Sequence, residues 1–357
     1  MTFAARTLGY LSSGGIGSFA PVAYMGGTAT KGLMYGLTVS PSGLFVAVGE
    51  GDLHIANSSY STDGYNWSTP VLMTGTSGLG DTAATAVAIS TGGATSGKWI
   101  AVGQSSTSGS FFATSNDGIS WTSAGAFGSG GAAVDLAVNS SGTFVAISNS
   151  GFSYSTNGTT WSTYTAFTGS VTITAISTDT YGTGFIAVGY ESSGGAPVYT
   201  TSSNGTSWTT PVRMNASSTT AYLQGITVDT ATNRYVAVGY DSSNAAIYSY
   251  TTSAGSIWQT PARMNSSSTR ANIRDVTYSS VAGLYIAVGD NILTGEALYA
   301  TSSTGVTWTT PTTMGTTGLN IGASIAMYRV IANSSGFFSA TGYGASSKAA
   351  YSYAVFP

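Results

Sequence analysis

Ser202-Ser203-Asn204-Gly205-Thr206-Ser207-Trp208-Thr209-Thr210-Pro211-Val212-Arg213-Met214 is one of six versions of the same stretch in a chain of 357 residues. Every version has a Gly three residues before its Trp and a large apolar residue six residues after it. The tryptophans are Trp67, Trp121, Trp161, Trp208, Trp258 and Trp308. Repeats 40 to 54 residues apart indicate one array of similar structural units rather than several unrelated domains.

A second apolar element precedes each Trp unit. It reads Phe45-Val46-Ala47-Val48-Gly49 in the first of seven copies, and the last, weaker copy runs over 337–342. Such runs of β-branched and small residues are typical of strands buried on both faces. Each repeat then divides into four strands, a to d, which one copy places at 223–229, 235–239, 246–251 and 257–264. Pro261 lies in strand d, so d is predicted to be the outer strand.

Four-stranded antiparallel units of this length are typical of propeller blades. The sequence therefore predicts an all-β, seven-bladed β-propeller. Seven copies of strand b but only six Trp units leave the last blade, with strands at 327–333, 337–342 and 350–355, without a strand d. Residues 18–25 are predicted to supply it, because Phe19 and Met25 have the spacing of Trp208 and Met214. An N-terminal strand would thus close the ring. We expect the propeller to span 18–357 and residues 1–17 to form an arm or cap.

The composition narrows the possible functions. Only 6% of the residues are charged, the formal net charge is −3, and the ten Lys and Arg form no basic patch. We therefore expect no nucleic-acid binding. The chain has no Cys, which excludes disulfides and thiolate metal sites. No apolar run approaches about 18 residues, so no membrane insertion is expected, and the N-terminus resembles a signal peptide poorly. One His cannot form a metal cluster, and neither a metal nor a cofactor is expected.

The Trp unit is most complete where it reads Ser-x-Asp-Gly-x-x-Trp, at 61–67 and 115–121. We predict a c–d hairpin in which Asp or Asn accepts hydrogen bonds from the turn, Gly has a positive φ, and Trp packs between blades. A metal role is disfavoured because later copies replace Asp with Asn, Ala or Thr. The structural role is assigned to Asp63, Gly64, Trp67, Asp117, Gly118, Trp121, Asn157, Trp161, Asn204, Trp208, Trp258 and Trp308.

This turn resembles the Asp-box, or BNR, repeat of sialidase-like propellers, in a variant one residue shorter between Asp and Gly. The resemblance covers residues 18–357 and is specific for fold rather than chemistry, because similar repeats occur in sialidases, lectins, photosystem assembly factors and bacteriophage tail and virion proteins. A sialidase site would require three Arg around a carboxylate, a Tyr–Glu pair and an acidic Asp. The chain has seven Arg, no Arg-Ile-Pro signature, and Glu only at positions 50, 191 and 296, all of which follow strands b.

Two groups of residues are candidates for binding. Strand a is predicted to place Gly36, Ala86, Asp135, Ile173, Gly225, Asp275 and Arg329 at the mouth of the central channel. The three charged members, Asp135, Asp275 and Arg329, either form a polar pocket or satisfy one another in a hydrated channel. The b–c and d–a loops supply a second group, whose aromatic and acidic side chains suit sugar binding unless they are ordinary exposed residues. It comprises Tyr190, Glu191, Tyr222, Tyr240, Asp241, Arg270, Arg274 and Asp290.

Two classes of function compete. The first is a non-enzymatic virion protein, from a bacteriophage tail or fibre, or a cell-surface protein that presents loops for adhesion or for binding a receptor glycan. Low charge, absent Cys and the N-terminal segment favour it, and residues 1–17 would then attach to other virion or tail proteins. We expect a virion location, with an extracellular or cell-surface location as the alternative. The second class is a sialidase-like glycan-processing enzyme or a free lectin. An enzyme would need a carboxylate pair and an Arg cluster at the channel mouth.

Overall fold

The computed structural model describes residues 17–27, 32–76, 78–128, 130–179, 181–216, 220–251, 257–264, 270–315, 325–344 and 347–356. Its strands form seven sheets of four antiparallel strands each. The innermost strand of every sheet contacts the innermost strands of both neighbouring sheets, and the seventh contacts the first. The predicted all-β, seven-bladed β-propeller is therefore confirmed.

The strands of the first four blades follow one order, from the channel outward. The first blade comprises β2 (Gly32–Val39), β3 (Phe45–Gly51), β4 (Ala56–Ser61) and β5 (Val71–Leu72), and β1 (Ala23–Tyr24) precedes it. The second comprises β6 (Thr82–Ile89), β7 (Trp99–Ser105), β8 (Gly109–Ser115) and β9 (Ser123–Ala126). The third comprises β10 (Ala133–Val138), β11 (Phe144–Ser148), β12 (Gly151–Ser155) and β13 (Thr165–Ala166). The fourth comprises β14 (Val171–Thr178), β15 (Phe185–Glu191), β16 (Pro197–Ser202) and β17 (Val212–Arg213).

The remaining blades repeat this order. The fifth comprises β18 (Ala221–Asp229), β19 (Arg234–Asp241), β20 (Ala246–Tyr250) and β21 (Ala262–Arg263). The sixth comprises β22 (Ala271–Ser279), β23 (Leu284–Asn291), β24 (Ala297–Ser302) and β25 (Thr312–Thr313). The seventh has β26 (Ala326–Ala332), β27 (Phe337–Gly344) and β28 (Lys348–Val355). Single 3-10 turns cover Met25–Gly27, Asp52–His54, Gly93–Thr95 and Met214–Ala216. Among the described residues, no helix has the length and apolar character needed to cross a membrane.

The N-terminal strand closes the ring, as predicted. β1 pairs with β28 in register Ala23 with Tyr351, and the seventh sheet runs in the order β1-β28-β27-β26. Phe19 takes the place that Trp has in the other blades: it is 4% exposed, and its ring centroid lies 5.1 Å from that of Tyr299 in the sixth blade. Only two residues of the predicted strand 18–25 form the ladder. Residues 1–16 lie outside the described residues, so the arm or cap predicted for 1–17 stays a prediction.

The outer strands are shorter than predicted. In the fifth blade a strand d was expected over 257–264, but only Ala262–Arg263 forms it. Pro261 has no N–H to donate to a ladder. The segment before it is held by single bonds instead: Gln259 N donates to Tyr250 O at 2.9 Å, and Ser249 Oγ donates to Gln259 O at 2.6 Å. Side-chain and isolated bonds thus replace part of the outer ladder.

The core consists of clusters that lie between neighbouring blades, and the tryptophans belong to them. Trp121 of the second blade is 3% exposed and packs in the same cluster as Met73 of the first blade. Trp161 of the third blade stacks on Phe127 of the second, with 4.6 Å between ring centroids. Trp208 is partly exposed, although it also contacts aromatic rings of the preceding blade. The predicted packing of Trp between blades is therefore correct.

The c–d turn has the predicted hydrogen bonds. Asp63 Oδ1 accepts from the main-chain N–H groups of Tyr65 at 3.0 Å and Asn66 at 2.7 Å, and Ser61 Oγ accepts from Gly64 N at 2.8 Å. Gly64 has a φ of 81°, which a residue with a Cβ adopts only with strain. Equivalent bonds are made at Asp117, Asn157 and Asn204. Hydrogen bonds from the turn, against the opposing effect of burial, hold the pKa of Asp63 below its usual value.

Candidate functional site

Every innermost strand carries a β-bulge at the same place. In β2, Met34 pairs with Gly49 and Gly36 pairs with Val48, so Tyr35 between them has no opposite residue. The same shift of register occurs in the other six blades. We call the seven unpaired residues the bulge ring; it comprises Tyr35, Thr85, Val134, Thr174, Gln224, Arg274 and Tyr328.

The bulge ring surrounds a pocket at the mouth of the channel. The pocket has a volume of about 360 Å³ and is lined by all seven bulge residues together with Ala83, Gln104, Asn149 and Arg329. It opens on the face that carries the d–a and b–c loops, which we call the upper face. Ligand pockets in proteins have volumes of about 300–1,000 Å³. The pocket is therefore large enough for a small ligand such as a sugar ring.

Three charged residues predicted at the channel mouth do come together, beneath the pocket. Arg329 Nη2 donates to Asp135 Oδ1 at 2.8 Å, and Arg329 Nη1 lies 3.8 Å from Asp275 Oδ1. The second oxygen of each carboxylate accepts a main-chain N–H from a neighbouring blade: Ile176 donates to Asp135 at 3.0 Å and Val330 donates to Asp275 at 2.9 Å. These charges satisfy one another, which was one of the two interpretations of the sequence.

We call Asp135, Asp275 and Arg329 the triad. Burial and neighbouring charges shift the pKa of Asp275 and the pKa of Arg329. Burial raises the pKa of Asp275 to about 6; the charge of Arg329 and the bond from Val330 oppose the rise, and the neighbouring Asp135 adds to it. Burial also disfavours the guanidinium of Arg329, but Asp135 and Asp275 outweigh burial and raise its pKa. Arg329 therefore stays charged, and the Asp275 carboxyl titrates nearer neutral pH than an ordinary Asp does.

One residue predicted at the mouth is misplaced. Ile173 pairs with Gly189 and is fully buried in a cluster between blades, so the prediction that it lines the channel is wrong. The bulge at Thr174 moves the register by one residue, and Ala175 occupies the position that Gly36, Ala86 and Asp135 have in the first three blades. Without the bulge, alternation along the strand points to the wrong residue.

The tyrosines of the upper face form two groups. In the fourth and fifth blades, Tyr190 meets Tyr222 edge to face at 4.9 Å, and Tyr222 lies 5.4 Å from Tyr240; none of these three lines the pocket. Further along, Tyr328 lies 5.2 Å from Tyr35 and 5.7 Å from Tyr343. In the pocket itself, Tyr35 and Tyr328 come from the first and seventh blades, and small and amide side chains come from the second to fifth blades, namely Thr85, Gln104, Asn149, Thr174 and Gln224. A ligand in the pocket would thus meet two aromatic rings on one side and hydrogen-bonding groups on the other.

Arg274 is the predicted loop residue that belongs to the pocket. Its Nε donates to Asp290 Oδ1 at 2.5 Å, and its guanidinium lies over the Tyr328 ring, 4.5 Å from the centroid. Burial opposes its charge, but Asp290 and then Tyr328 outweigh burial and raise the pKa of Arg274. Its other N–H groups have no acceptor among the described residues, so they are free to donate to a ligand.

The other seven predicted loop residues do not line the pocket. Glu191 is held by Arg213, whose Nε and Nη2 each donate to it at 2.6 Å and lower its pKa. Asp241 accepts from Arg263 Nε at 2.7 Å and from two main-chain N–H groups of its own loop. Arg270 is exposed on the upper face. The carboxylates of Glu191 and Asp241 thus stabilise loops, and each already forms an ion pair with an arginine.

Sequence reasoning missed six of the seven bulge residues, because it did not anticipate a β-bulge in strand a. A usable signal was present. In every blade except the fourth, the bulge residue directly precedes the residue that the sequence placed at the channel mouth. Among the described residues, no group of three or more His, Cys, Asp and Glu is arranged to hold a metal ion.

No protein-family model matches the chain, and no curated protein sequence matches it either. Solved structures share its fold. The BP39L lectin from Burkholderia pseudomallei has a TM-score of 0.67 at 11% identity, over 90% of this chain and 95% of the lectin. YCF48 from Cyanidioschyzon merolae has a TM-score of 0.61 at 15% identity, over 93% and 98%. Virginiamycin B lyase from Staphylococcus aureus has a TM-score of 0.61 at 11% identity, over 93% and 97%.

By their names, the first of these proteins is a lectin and the third is a lyase, whereas the name YCF48 states no activity; all three resemble this chain about equally. Identities of this size establish the propeller fold alone.

Proposed function

We propose that this protein is a non-enzymatic, carbohydrate-binding propeller that serves in adhesion, with the upper-face pocket receiving a sugar of a receptor glycan. The observation that carries the proposal is the division of the pocket between tyrosines and hydrogen-bonding side chains. A sugar ring has an apolar face of C–H groups and an edge of hydroxyls. Tyr35 and Tyr328 offer rings to the first, and the amides of Gln104, Asn149 and Gln224 offer donors and acceptors to the second.

The polar groups of the pocket are available for such contacts. The side chains of Gln104, Asn149 and Gln224 make no hydrogen bond with any other described residue, and each is at least partly exposed. The N–H groups of Arg274 that have no acceptor among the described residues can also donate to a ligand. Two groups are already engaged, because Thr85 Oγ1 donates to Ala133 O and Thr174 Oγ1 donates to Leu223 O, both at 2.7 Å. Recognition would therefore rest on the amides, Arg274 and the tyrosines.

The state of the acidic residues supports binding rather than catalysis. Asp135 and Asp275 use their oxygens on Arg329 and on main-chain N–H groups, and Asp290 faces Arg274. Hydrolysis of a glycosidic bond needs one carboxyl group that gives a proton and one that attacks or activates water. Carboxylates that are neutralised and hydrogen-bonded are poorly placed for either role.

We also propose that the protein belongs to a virion or to a cell surface. The c–d turn has hydrogen bonds of the kind that its resemblance to the Asp-box repeat implies, and such repeats occur in bacteriophage tail and virion proteins. The low charge and the lack of Cys suit a particle protein that folds without disulfides. On this proposal the protein lies in a virion or on a cell surface, and residues 1–17 attach it to other virion proteins.

A glycan array tests the proposal, followed by titration calorimetry on the sugar with the strongest signal. We expect Tyr328→Ala and Gln224→Ala each to weaken binding by about tenfold or more, because each removes a contact worth about 1.4 kcal/mol. Tyr181→Ala is the matched control, since Tyr181 is 73% exposed and lies in an a–b turn at the opposite end of its blade. Binding to no glycan, or equal losses in all three variants, would contradict the proposal.

Glycan processing is a second candidate, because Asp135 and Asp275 form a carboxylate pair around Arg329 beneath the pocket. A carboxyl group with a pKa of about 6, as in Asp275, is suited to donate a proton near neutral pH. Release of reducing sugar from a glycan that binds on the array, abolished by Asp275→Asn with binding retained, would support this candidate. Binding without any release of sugar would leave the non-enzymatic function in place.

A further inference from the structure

The central pocket adjoins two further cavities on the upper face. A cavity of about 470 Å³ lies over the second blade and shares Ala83 and Gln104 with the central pocket. A cavity of about 190 Å³ lies beside the first blade and shares Glu50 and His54 with the second cavity. The three cavities therefore adjoin one another from the channel mouth to the edge of the first blade; we call them together the groove, and their joint volume reaches the upper part of the range for ligand sites.

On this geometry, and resting on the proposed function, we propose that the groove binds an oligosaccharide rather than a single sugar. One unit of the oligosaccharide occupies the central pocket, and the chain continues past Gln104 into the cavity over the second blade. We call that cavity the outer subsite. A single sugar ring would fill the central pocket and leave the larger outer subsite empty. Additional units would bury more surface and therefore bind more tightly.

The outer subsite also has a distinct charge. Glu50, Asp81 and His54 line it together with Ser105 and Ser106, whereas the central pocket has two arginines. The Asp81 carboxylate is exposed and makes no hydrogen bond with another described residue, and Glu50 bonds to the imidazole of His54. Hydroxyl and ammonium groups of a ligand donate to carboxylates, and a carboxylate on the ligand is repelled. The outer subsite thus favours neutral or amino sugars over acidic ones.

Two corresponding loop positions allow a controlled test, although Ser106 Oγ accepts from Asp81 N at 2.9 Å and Ser242 makes no side-chain hydrogen bond with another described residue. Ser106 and Ser242 are each the first residue after strand b of their blades. Ser106 lines the outer subsite, and Ser242 is exposed on a loop that does not line the groove. Tryptophan at position 106 would fill the outer subsite and leave the central pocket open, whereas tryptophan at position 242 changes only the surface.

The experiment measures binding of wild type, Ser106→Trp and Ser242→Trp to ladders of one to six units of N-acetylglucosamine, glucosamine, mannose and galacturonic acid. We expect affinity to rise about tenfold or more between one and four units in a neutral or amino-sugar ladder. Ser106→Trp should abolish the rise and keep binding of the single sugar, and Ser242→Trp should keep both.

Equal affinity for single sugars and longer chains would overturn this inference and leave the proposed function standing. A rise that survives Ser106→Trp, or one confined to galacturonic acid, would overturn it as well. Absence of binding in every ladder would contradict the proposed function itself. Circular dichroism of the two variants checks that each retains the propeller, and an unfolded Ser106→Trp is replaced by Asp81→Lys, for which the same loss of chain-length dependence is expected.

Discussion

Arg329 in β26 donates to Asp135 in β10 across the central channel, at 2.8 Å. Counted the shorter way around the ring, the third blade is three blades from the seventh, so the two face each other across the channel. Because Asp135 accepts from Ile176 of the fourth blade and Asp275 from Val330 of the seventh, the triad joins side chains and main chain of several blades. Ionic contacts therefore hold the centre of the ring, whereas apolar packing holds the blades together further out.

Replacing Arg329 with Met should destabilise the fold. The variant leaves Asp135 and Asp275 without their cation in a buried site, and removing one partner of a buried ion pair costs about 3–5 kcal/mol. Urea unfolding of the two proteins measures the difference. The matched control is Arg213→Met, which removes the exposed pair with Glu191 and should leave the midpoint unchanged. Equal effects of both substitutions would contradict a central role for the triad.

Asp275 should make stability depend on pH. Its pKa is raised to about 6 in the folded protein, so between about pH 4 and pH 6 the folded state holds a proton that the unfolded state has released. The free energy of unfolding therefore falls as the pH rises through this window, by about 3 kcal/mol at most, and levels off above it. Asp275→Asn keeps an acceptor for Val330 N–H and removes the titration. Parallel pH curves for wild type and Asp275→Asn would show that Asp275 has no raised pKa.

The tryptophans should differ in their contribution to stability. Trp121 is 3% exposed and packs with Met73 of the preceding blade, so Trp121→Ala leaves a cavity between two blades and should cost about 3–5 kcal/mol. Trp208 is partly exposed, and water can fill part of the space after Trp208→Ala, so the loss should be smaller. Chemical denaturation of both variants decides the order, and a larger loss for Trp208→Ala would refute this account of the packing.

Phe19→Ala should loosen the closure of the ring. Phe19 is 4% exposed and packs with Met314 of the sixth blade, while β1 contributes only two residues to the ladder. Packing at Phe19 therefore contributes to the closure, beside the hydrogen bond from Ala20 N to Tyr353 O at 2.8 Å, and its loss should cost about 3–5 kcal/mol. Limited proteolysis should then cleave first near the N-terminus. Tyr181→Ala, at a residue 73% exposed, serves as the control, and unfolding at the wild-type midpoint after Phe19→Ala would disprove the role of Phe19.

The sequence predicted the fold well because six of the seven blades repeat the same turn. Gly64 with Asp63 defines a hairpin of fixed length, and the spacing of Phe19 and Met25 identified the missing strand at the other end of the chain. These signals are local, so one sequence is enough to read them. Ring closure follows from them because the last blade lacks its outer strand.

The pocket was harder to predict, for two physical reasons. A β-bulge requires no particular residue type, since Tyr35, Val134 and Gln224 all occupy it, so alternation failed and Ile173 was misplaced. The pairing of Arg329 with Asp135 joins residues 194 positions apart, and nothing in the sequence gives that distance. The charges at the mouth were identified, but not whether they bind a ligand or one another.

At the bulge ring, the residues that face the pocket differ from the residues that pack between blades and stabilise the fold. In each blade the residue before the bulge is buried between blades, as Met34 and Ile273 are, whereas the bulge residue faces the pocket. A mutation at a bulge residue therefore alters the pocket and leaves the buried residue before it in place. Thr85, Thr174 and Arg274 also bond neighbouring strands, whereas the Gln224 side chain makes no hydrogen bond with another described residue, so new ligand preferences can arise there by a single substitution.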